Sequence, residues 1–447
     1  VHRFAASAST VAHALALLTQ RGLVETRPGA GTFRARTRHR ERAGDTSWQE
    51  AALQLSESLE LTPEVTRQFD APALGDTLTT HPPEVIDLNG GYLARSLQPS
   101  ELLSAALARV SKRADAWERP PKGGIADLRD WFAAEISPDL SRSDILIAPG
   151  GQSALATTLR ALTQPGDPVI LESPTYPGMM AAAYAAGLRP VPVPLDQQGI
   201  IPEHLEEALI RSRARVVVTQ PLFQNPTGAT MGAGRRDEVR GLARAHAAYV
   251  IEDDFARYLA HDDAPRAPAP MICDDPDGTV IHLRSLTKPT SPNLRVAALG
   301  SRGPVTTRLL DALTIDAFLV PSALQHTALD VVSAPAWRRA RRTLGADLYR
   351  RRDLATTAIA RGLGLQALPR SPQGGYHLWI ELPPGHHPHD VARTALTLGV
   401  AVTPGSNYYL PGVAQRPHIR VSYVSVAGDA DLERGIELLS RAVAAPP

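Results

Sequence analysis

The chain has 447 residues, of which 43% are hydrophobic and 21% charged, with a formal net charge of +1. These are the values of a globular protein long enough for two or three domains, and they exclude a chain whose overall field alone recruits nucleic acid or membrane. The single cysteine, Cys273, excludes an intramolecular disulfide and fits a reducing compartment.

Residues 1–36 read as a small unit. Val11, Ala14, Leu15 and Leu18 fall at helical spacing over 9–20, with Ser9 or Ser7 as the cap and Gly22 as the stop. Two short strands, 23–26 and 31–34, flank the turn Pro28-Gly29-Ala30-Gly31. A helix followed by a hairpin is the second half of a winged helix. Residues 37–84 read as a linker. Arg36, Arg38, Arg40 and Arg42 form a basic run, polar sequence follows as far as Pro82-Pro83, and a helix is expected near 48–59. The basic run suits a solvated linker and a DNA-backbone contact equally.

From Ile86 onward, short apolar runs alternate with amphipathic helices. Strands are expected at 144–147, 168–171, 191–193, 216–219, 249–252, 280–282 and 297–300. Helices such as 154–162, 176–186, 201–212 and 235–246 lie between them. That alternation calls for an α/β domain over 85–322 on a mostly parallel sheet. Beyond Ala323, long helices, strands at 376–381 and 419–423 and a last helix over 429–443 make a smaller α+β domain, 323–447. Apolar stretches such as 181–188 are too short to span a bilayer and no apolar leader is visible, so a cytoplasmic location is expected.

Ser285-Leu286-Thr287-Lys288 places a lysine on a loop of small and hydroxylated residues, and Arg295 follows seven positions later. An amine on a structured turn, beside a hydroxyl and a guanidinium able to hold phosphate, suits covalent capture of an aldehyde cofactor. Pro149-Gly150-Gly151-Gln152 follows a strand and opens a helix, whose free N–H groups attract an anion. Three further segments carry chemistry: Glu172 to Gly178 with Tyr176, Gln220 to Gly228 with Asn225-Pro226-Thr227-Gly228, and Ile251-Glu252-Asp253-Asp254-Phe255 at a strand end. Much later, Pro417 to Tyr423 carries Arg420. Alone, each reads as an ordinary turn or strand end; their joint order and spacing are specific. The cluster His386-His387-Pro388-His389 lacks a matching Cys or carboxylate set and makes no metal site.

In this order the motifs resemble the aspartate-aminotransferase superfamily, the fold type I pyridoxal-phosphate enzymes, from about residue 85 to the C-terminus. The resemblance implies pyridoxal 5'-phosphate as cofactor. It puts Gly151, Gln152, Ser285 and Arg295 on the phosphate, Tyr176 against the ring and Asn225 on the 3-hydroxyl oxygen. It puts Asp253 on the pyridine nitrogen, keeping that nitrogen protonated. Lys288 becomes the Schiff-base lysine and Arg420 the ligand of a substrate α-carboxylate. Glu252 and Asp254 read instead as a cap or a solvated strand end. Two positions depart from the family pattern. Phe255 stands where the family has a tyrosine that donates to the 3-hydroxyl, with Tyr258 three residues on. The stretch Trp117 to Pro121, ahead of Gly124-Ile125-Ala126-Asp127-Leu128-Arg129, lacks a tyrosine that reaches the phosphate of the partner subunit; Arg119 or Trp117 stands in its place.

Residues 9–33 resemble the GntR winged helix, whose helix enters the major groove while the wing meets the backbone. Val1 lies where such a domain is already in its second helix. Ala8, Ala12 and His13 stand where GntR proteins often carry arginine, so thin base readout is expected. Partial winged helix, linker and aminotransferase-like domain together are similar to the MocR-type regulators. That resemblance implies a homodimeric, DNA-binding transcriptional regulator that senses pyridoxal phosphate, or an amine or amino acid, through aldimine formation at Lys288. The alternative is a pyridoxal-phosphate-dependent aminotransferase acting on an amino acid and a 2-oxo acid, for which Lys288, Asp253, Asn225 and Arg420 are the minimal equipment.

Overall fold

The computed structural model describes residues 7–20, 24–27, 31–34, 67–69, 71–413 and 415–445. By its internal contacts the chain divides into two units, Val1–Leu61 and Thr62–Pro447. In the first, α1 spans Ala8–Gln20. Ser7, of the two expected caps, starts it: the Thr10 amide donates to the Ser7 hydroxyl at 3.1 Å, satisfying one of the orphan donors of the first turn. β1 (Val24–Arg27) and β2 (Gly31–Arg34) pair antiparallel, Val24 opposite Arg34 and Arg27 opposite Gly31. The basic run beyond Arg36 and the helix expected near 48–59 lie outside the described residues.

The second unit includes α2 (Pro72–Asp76), within the stretch expected to be linker, and β3 (Ile86–Asp87). Two helices, α3 (Ser100–Val110) and α4 (Ala126–Ile136), precede the main sheet. The chain then alternates: β4 (Ile145–Ala148), α5 (Gly151–Leu162), β5 (Pro168–Ser173), α6 (Pro177–Ala185), β6 (Arg189–Asp196), β7 (Gly199–Ile200), α7 (Pro202–Ser212) and β8 (Val216–Thr219). It continues through α8 (Ala233–Ala245), β9 (Tyr249–Asp253), β10 (Val280–Ser285) and β11 (Ala297–Gly300). These strands form one eight-stranded sheet in the order β4-β11-β10-β9-β8-β5-β6-β7. The run from β10 to β6 is parallel, while β4, β11 and β7 join antiparallel. An uninterrupted apolar strand such as Val216 to Val218, in the middle of the parallel run, is what a parallel sheet covered on both faces requires.

Strand alternation divides the core. Ile145, Ile147, Ile170, Val217 and Val250 pack in one buried cluster, and Leu146, Leu171, Val218, Ile251 and Leu283 in another. The same parity sorts the ionisable residues that end β9 and β10. Asp253 and Ser285 share the face of Ile251 and Leu283. Glu252, Asp254, His282 and Arg284 take the opposite face. This corrects the expectation for Glu252 and Asp254, which are fully buried rather than capping or solvated. Glu252 lies 2.7 Å from His282 Nδ1 and 3.3 Å from Arg236, while Asp254 lies 2.6 Å from Arg284 and 2.9 Å from Arg257.

Beyond the sheet come α9 (Pro304–Ala317), α10 (Ser322–Ser333) and α11 (Pro335–Leu363). The last region holds β12 (His377–Glu381), α12 (Pro388–Thr397), β13 (Val400–Ala401), β14 (Thr403–Pro404), β15 (His418–Ser422) and α13 (Asp429–Ala444). Its three-stranded antiparallel sheet runs β12-β15-β14, and β13 pairs with β3. A third buried cluster, including Leu378, Val421, Leu432 and Ile436, holds it together. Among the described residues no helix is long and apolar enough to cross a membrane.

Candidate active site

The C-terminal ends of parallel strands and the helix starts that follow them are where an α/β sheet offers unpaired N–H groups to ligands. Here they open onto a cavity of about 360 Å³. Every site residue expected from the sequence lines it: Gly151, Gln152, Tyr176, Asn225, Asp253, Ser285, Lys288, Arg295 and Arg420.

Lys288 donates its Nζ to the Gly91 carbonyl at 2.7 Å and lies 4.2 Å from the centroid of the Tyr92 ring. Burial, then the Arg420 and Arg295 cations, lower its pKa to about 7 against the opposing pull of Asp253. Asp253 ends β9 facing the cavity, and Gln220 Nε2 donates to its Oδ2 at 2.8 Å. Burial, reinforced by Asp254 and Glu252, pushes Asp253 up to about 6, while Gln220 and Lys288 oppose the shift. Gln220 Oε1 also accepts from the Asn225 amide at 3.0 Å, so one glutamine sets both the carboxylate and the loop of Asn225. Behind them the fully buried Glu172 accepts from Thr219 Oγ1 at 2.5 Å and from the Gln220 amide at 3.1 Å. Burial nevertheless pushes Glu172 up to about 7.

The far end of the cavity is a cradle for an anion. Gly151 opens α5, with Ser285 close by. Arg295 adopts a left-handed backbone (φ +48°), and its Nη2 donates to the Pro149 carbonyl at 2.9 Å. Gly150 has φ +97°, and a Cβ there would sit 2.4 Å from that same Nη2. Alanine at Gly150 is therefore both strained and sterically excluded unless the guanidinium leaves. We expect Gly150→Ala to cost at least about tenfold in affinity for a phosphate-bearing ligand, roughly one lost charge-assisted hydrogen bond. Equilibrium dialysis against pyridoxal phosphate measures this, and unchanged affinity would show that Arg295 does not hold the phosphate.

Several lining side chains keep a buried polar atom with no protein partner: Gln152 Oε1, Asn225 Oδ1, Thr287 Oγ1 and Arg420 Nε. Such atoms call for a partner from a ligand. An amide, a carboxylate, hydroxyls, a guanidinium and a lysine amine lining one cavity fit the 3-hydroxyl, ring nitrogen, phosphate and aldehyde of pyridoxal phosphate. Arg420 is framed by β14 and β12: Nη2 donates to Thr403 Oγ1 at 3.2 Å and to the Asn89 carbonyl, and Nη1 points to His377 Nε2 at 3.0 Å.

The structure decides the first of the two departures. Phe255 lines the cavity. Tyr258 does not: its ring packs edge-on against Trp337 and under Arg341, and it supplies no hydroxyl in the place of the missing tyrosine. Trp117 is exposed, and neither it nor Arg119 lines the cavity of its own chain. Residues not foreseen as site residues also reach the cavity: Gly91, Tyr92, Gln220, Tyr376, His377 and Thr287. Thr287 was within a quoted motif, and Tyr376 and His377 within an expected strand. Gly91 carried only the turn signal of Gly90-Gly91.

Comparison with known proteins agrees with this geometry. The family described as aminotransferase class I and II matches residues 94–439. The 2-aminoadipate transaminase of Thermus thermophilus is 30% identical over 81% of this chain and 91% of its own length. An HTH-type transcriptional regulator of Bacillus subtilis, YisV, is 27% identical over 97% of this chain and 88% of its own. That match reaches into α1. Among solved structures, the α-aminoadipate aminotransferase LysN of Thermus thermophilus, complexed with N-(5'-phosphopyridoxyl)-L-leucine, superposes with a TM-score of 0.79 at 26% identity. It covers 89% of this chain and 98% of that one. With the family match spanning most of its length and the fold of LysN around its cavity, the chain belongs to the aminotransferase class I and II family.

Proposed function

We propose that this chain is a MocR-type transcriptional regulator of the cytoplasm whose aminotransferase domain holds pyridoxal phosphate on Lys288 and senses an amino compound there. What carries the reading is the convergence of Lys288, Asp253, Asn225, Arg295 and Arg420 on one cavity, in a chain that also bears α1 and the β1–β2 hairpin. When bound, the cofactor supplies an aldehyde for the lysine and a protonated ring that draws electrons from bonds at the amino carbon. Lys288 offers its amine as the nucleophile, and the same amine can carry a proton to or from that carbon. Asp253 holds a proton on the ring nitrogen, Arg295, Ser285 and the start of α5 hold the phosphate, and Arg420 orients a carboxylate.

The lowered pKa of Lys288 has a kinetic consequence. Its neutral, nucleophilic form grows as pH rises through about 7. An ordinary lysine reaches that point only near 10.4. Cofactor capture followed by stopped-flow absorbance should therefore accelerate between about pH 6 and 8 and then level off. A rate still climbing at pH 9 would mean an unshifted amine.

DNA is the proposed macromolecular partner. Binding of the full chain to the DNA upstream of its own gene should be sequence-selective and should weaken steeply with salt, as phosphate contacts release counterions. Gel-shift titrations at two salt concentrations test this. The second reading, an aminotransferase, is favoured by the completeness of the minimal set Lys288, Asp253, Asn225 and Arg420 and by the likeness to the Thermus transaminase. Multiple-turnover transamination without selective DNA binding would establish it instead. A second copy of the chain is the proposed partner in solution. Exposed Phe318 and Leu319 share a groove with Pro120, Pro121 and Leu310, which offers apolar surface suited to a subunit contact.

A further inference from the structure

The hydrogen bonds of Gln220 determine which oxygen of Asp253 a proton occupies, a point that rests on the cofactor reading above. Gln220 follows β8 directly, and its backbone is fixed from behind. Its main-chain N–H donates to Glu172 Oε1 at 3.1 Å, and Thr219 Oγ1 donates to the same oxygen at 2.5 Å. The other oxygen of Glu172 accepts from Gln224 Nε2 at 3.2 Å, and Gln224 Oε1 accepts from the Thr227 amide at 3.0 Å. The turn that carries Asn225 is therefore tied down on both sides. Gln220, only 2% exposed, has little freedom to swing.

Chemistry permits its side chain one orientation. The Asn225 main-chain N–H can only donate, so the group it meets at 3.0 Å must be the carbonyl oxygen, Oε1. That turns Nε2 toward Asp253, where it lies 2.8 Å from Oδ2. An amide N–H in turn only donates, so Oδ2 must accept. The carboxyl oxygen that accepts well is the one without the proton. Whether ionised or neutral, Asp253 thus presents Oδ2 to Gln220 as a bare acceptor, and any proton it carries belongs on Oδ1. Burial raises the pKa of Asp253 to about 6, and the Gln220 bond opposes that rise, so the glutamine also favours the ionised carboxylate.

We propose that Gln220 is a positioning residue for the cofactor's ring nitrogen: by holding Asp253 Oδ2 as an acceptor, it confines the exchangeable proton to Oδ1 and so to the line between that oxygen and the pyridine nitrogen. The proton passes from Oδ1 to the nitrogen, leaving a carboxylate and a ring cation, without any side chain turning. Gln220 keeps its bond to Oδ2 throughout. The same amide holds the turn of Asn225, so the proposed partners of the ring nitrogen and of the 3-hydroxyl keep a fixed spacing.

The test is equilibrium dialysis of the full chain against pyridoxal phosphate and against its carbocyclic analogue, in which CH replaces the ring nitrogen. Both ligands keep the aldehyde, the hydroxyl and the phosphate, so their affinity ratio reports the nitrogen alone. The wild-type chain should bind pyridoxal phosphate at least about tenfold more tightly, the worth of one charge-assisted hydrogen bond. Gln220→Met, close in size but without the amide, should reduce that ratio at least about threefold. Gln220→Leu, read the same way, covers the case in which methionine disturbs the fold. A merely structural role for Gln220 would weaken both ligands together and leave the ratio unchanged, and that result overturns the inference. So does a wild-type chain that binds both ligands equally. A chain that develops no absorbance band with pyridoxal phosphate, or whose band survives Lys288→Ala, fails the cofactor reading and takes this inference with it. A normal band with an unchanged ratio fails the inference alone.

Discussion

Lys288→Ala is expected to abolish the absorbance band that the wild-type chain develops with pyridoxal phosphate. Alanine has no amine, and among the described residues no other lysine lines the cavity. Residual binding should persist through the phosphate cradle of Arg295, Ser285 and the start of α5, so the variant should still retard the cofactor in dialysis without colouring. The substitution should not unfold the chain. The wild-type amine is held largely away from water, which is unfavourable for its charged form, and it contributes one hydrogen bond to Gly91. The melting temperature of the cofactor-free variant should therefore not fall. A lost band together with a lowered melting temperature would point to disruption of the fold instead. A retained band would remove Lys288 from the site altogether.

Asp254→Ala should act the other way, leaving the cavity contacts in place while destabilising the fold. Asp254 is fully buried, with Arg284 and Arg257 bonded to it and His282 at 3.6 Å. Burial alone would raise its pKa. The two guanidiniums and the histidine outweigh that and hold the carboxyl well below the usual range. Removing it leaves Arg284, only 1% exposed, with an uncompensated charge. Breaking a buried pair from one side typically costs about 3–5 kcal/mol, which a shift of the guanidinium chloride midpoint reads directly. Because the folded pKa is depressed, this contribution is present above the unfolded value, about 3.9, and is lost as pH falls further. The stability gap between wild type and variant should therefore be flat at neutral pH and close only in acid. Adding Arg284→Met should recover part of the loss, since the orphan charge goes with it. A gap within about 1 kcal/mol would place the energetic weight elsewhere in the network.

The sheet was legible in the sequence where apolar runs have abrupt ends. The expected spans 216–219 and 297–300 coincide with β8 and β11, bounded by Gln220 and by Gly300. β6 extends well beyond its expected core of 191–193, because Pro190, Pro192 and Pro194 break the apolar run. Alternate prolines put their missing N–H groups on one side of a strand, which suits a position near a sheet edge. The site was legible where cofactor chemistry demands residues in fixed local settings. Gly151 begins α5, Asp253 and Ser285 end strands, and Asn225 sits in a turn. What escaped notice arrives through long-range packing. The Gly91 carbonyl meets an amine nearly two hundred positions later, and Tyr376 donates to that same oxygen at 2.5 Å. No local pattern announces such a partner. Parity along β9 could have placed Glu252 and Asp254 on the covered face opposite Asp253. Reading them as a strand end missed this because β10 continues alongside with His282 and Arg284.

The β10–β11 hairpin has one more consequence. Ser285 ends β10, Lys288 follows in the loop, and Arg295 precedes β11, with the Leu286 amide closing onto the Val296 carbonyl at 3.1 Å. The proposed covalent attachment and the proposed phosphate anchor therefore travel on one contiguous cassette, while Asn225 comes from the turn after β8 and Asp253 from the end of β9. A length change between Ser285 and Val296 would misplace both anchors together. Insertions in loops elsewhere would leave their mutual spacing intact. Evolutionary tinkering with what this domain recognises is thus free to work on the walls of the cavity without renegotiating its grip on the cofactor.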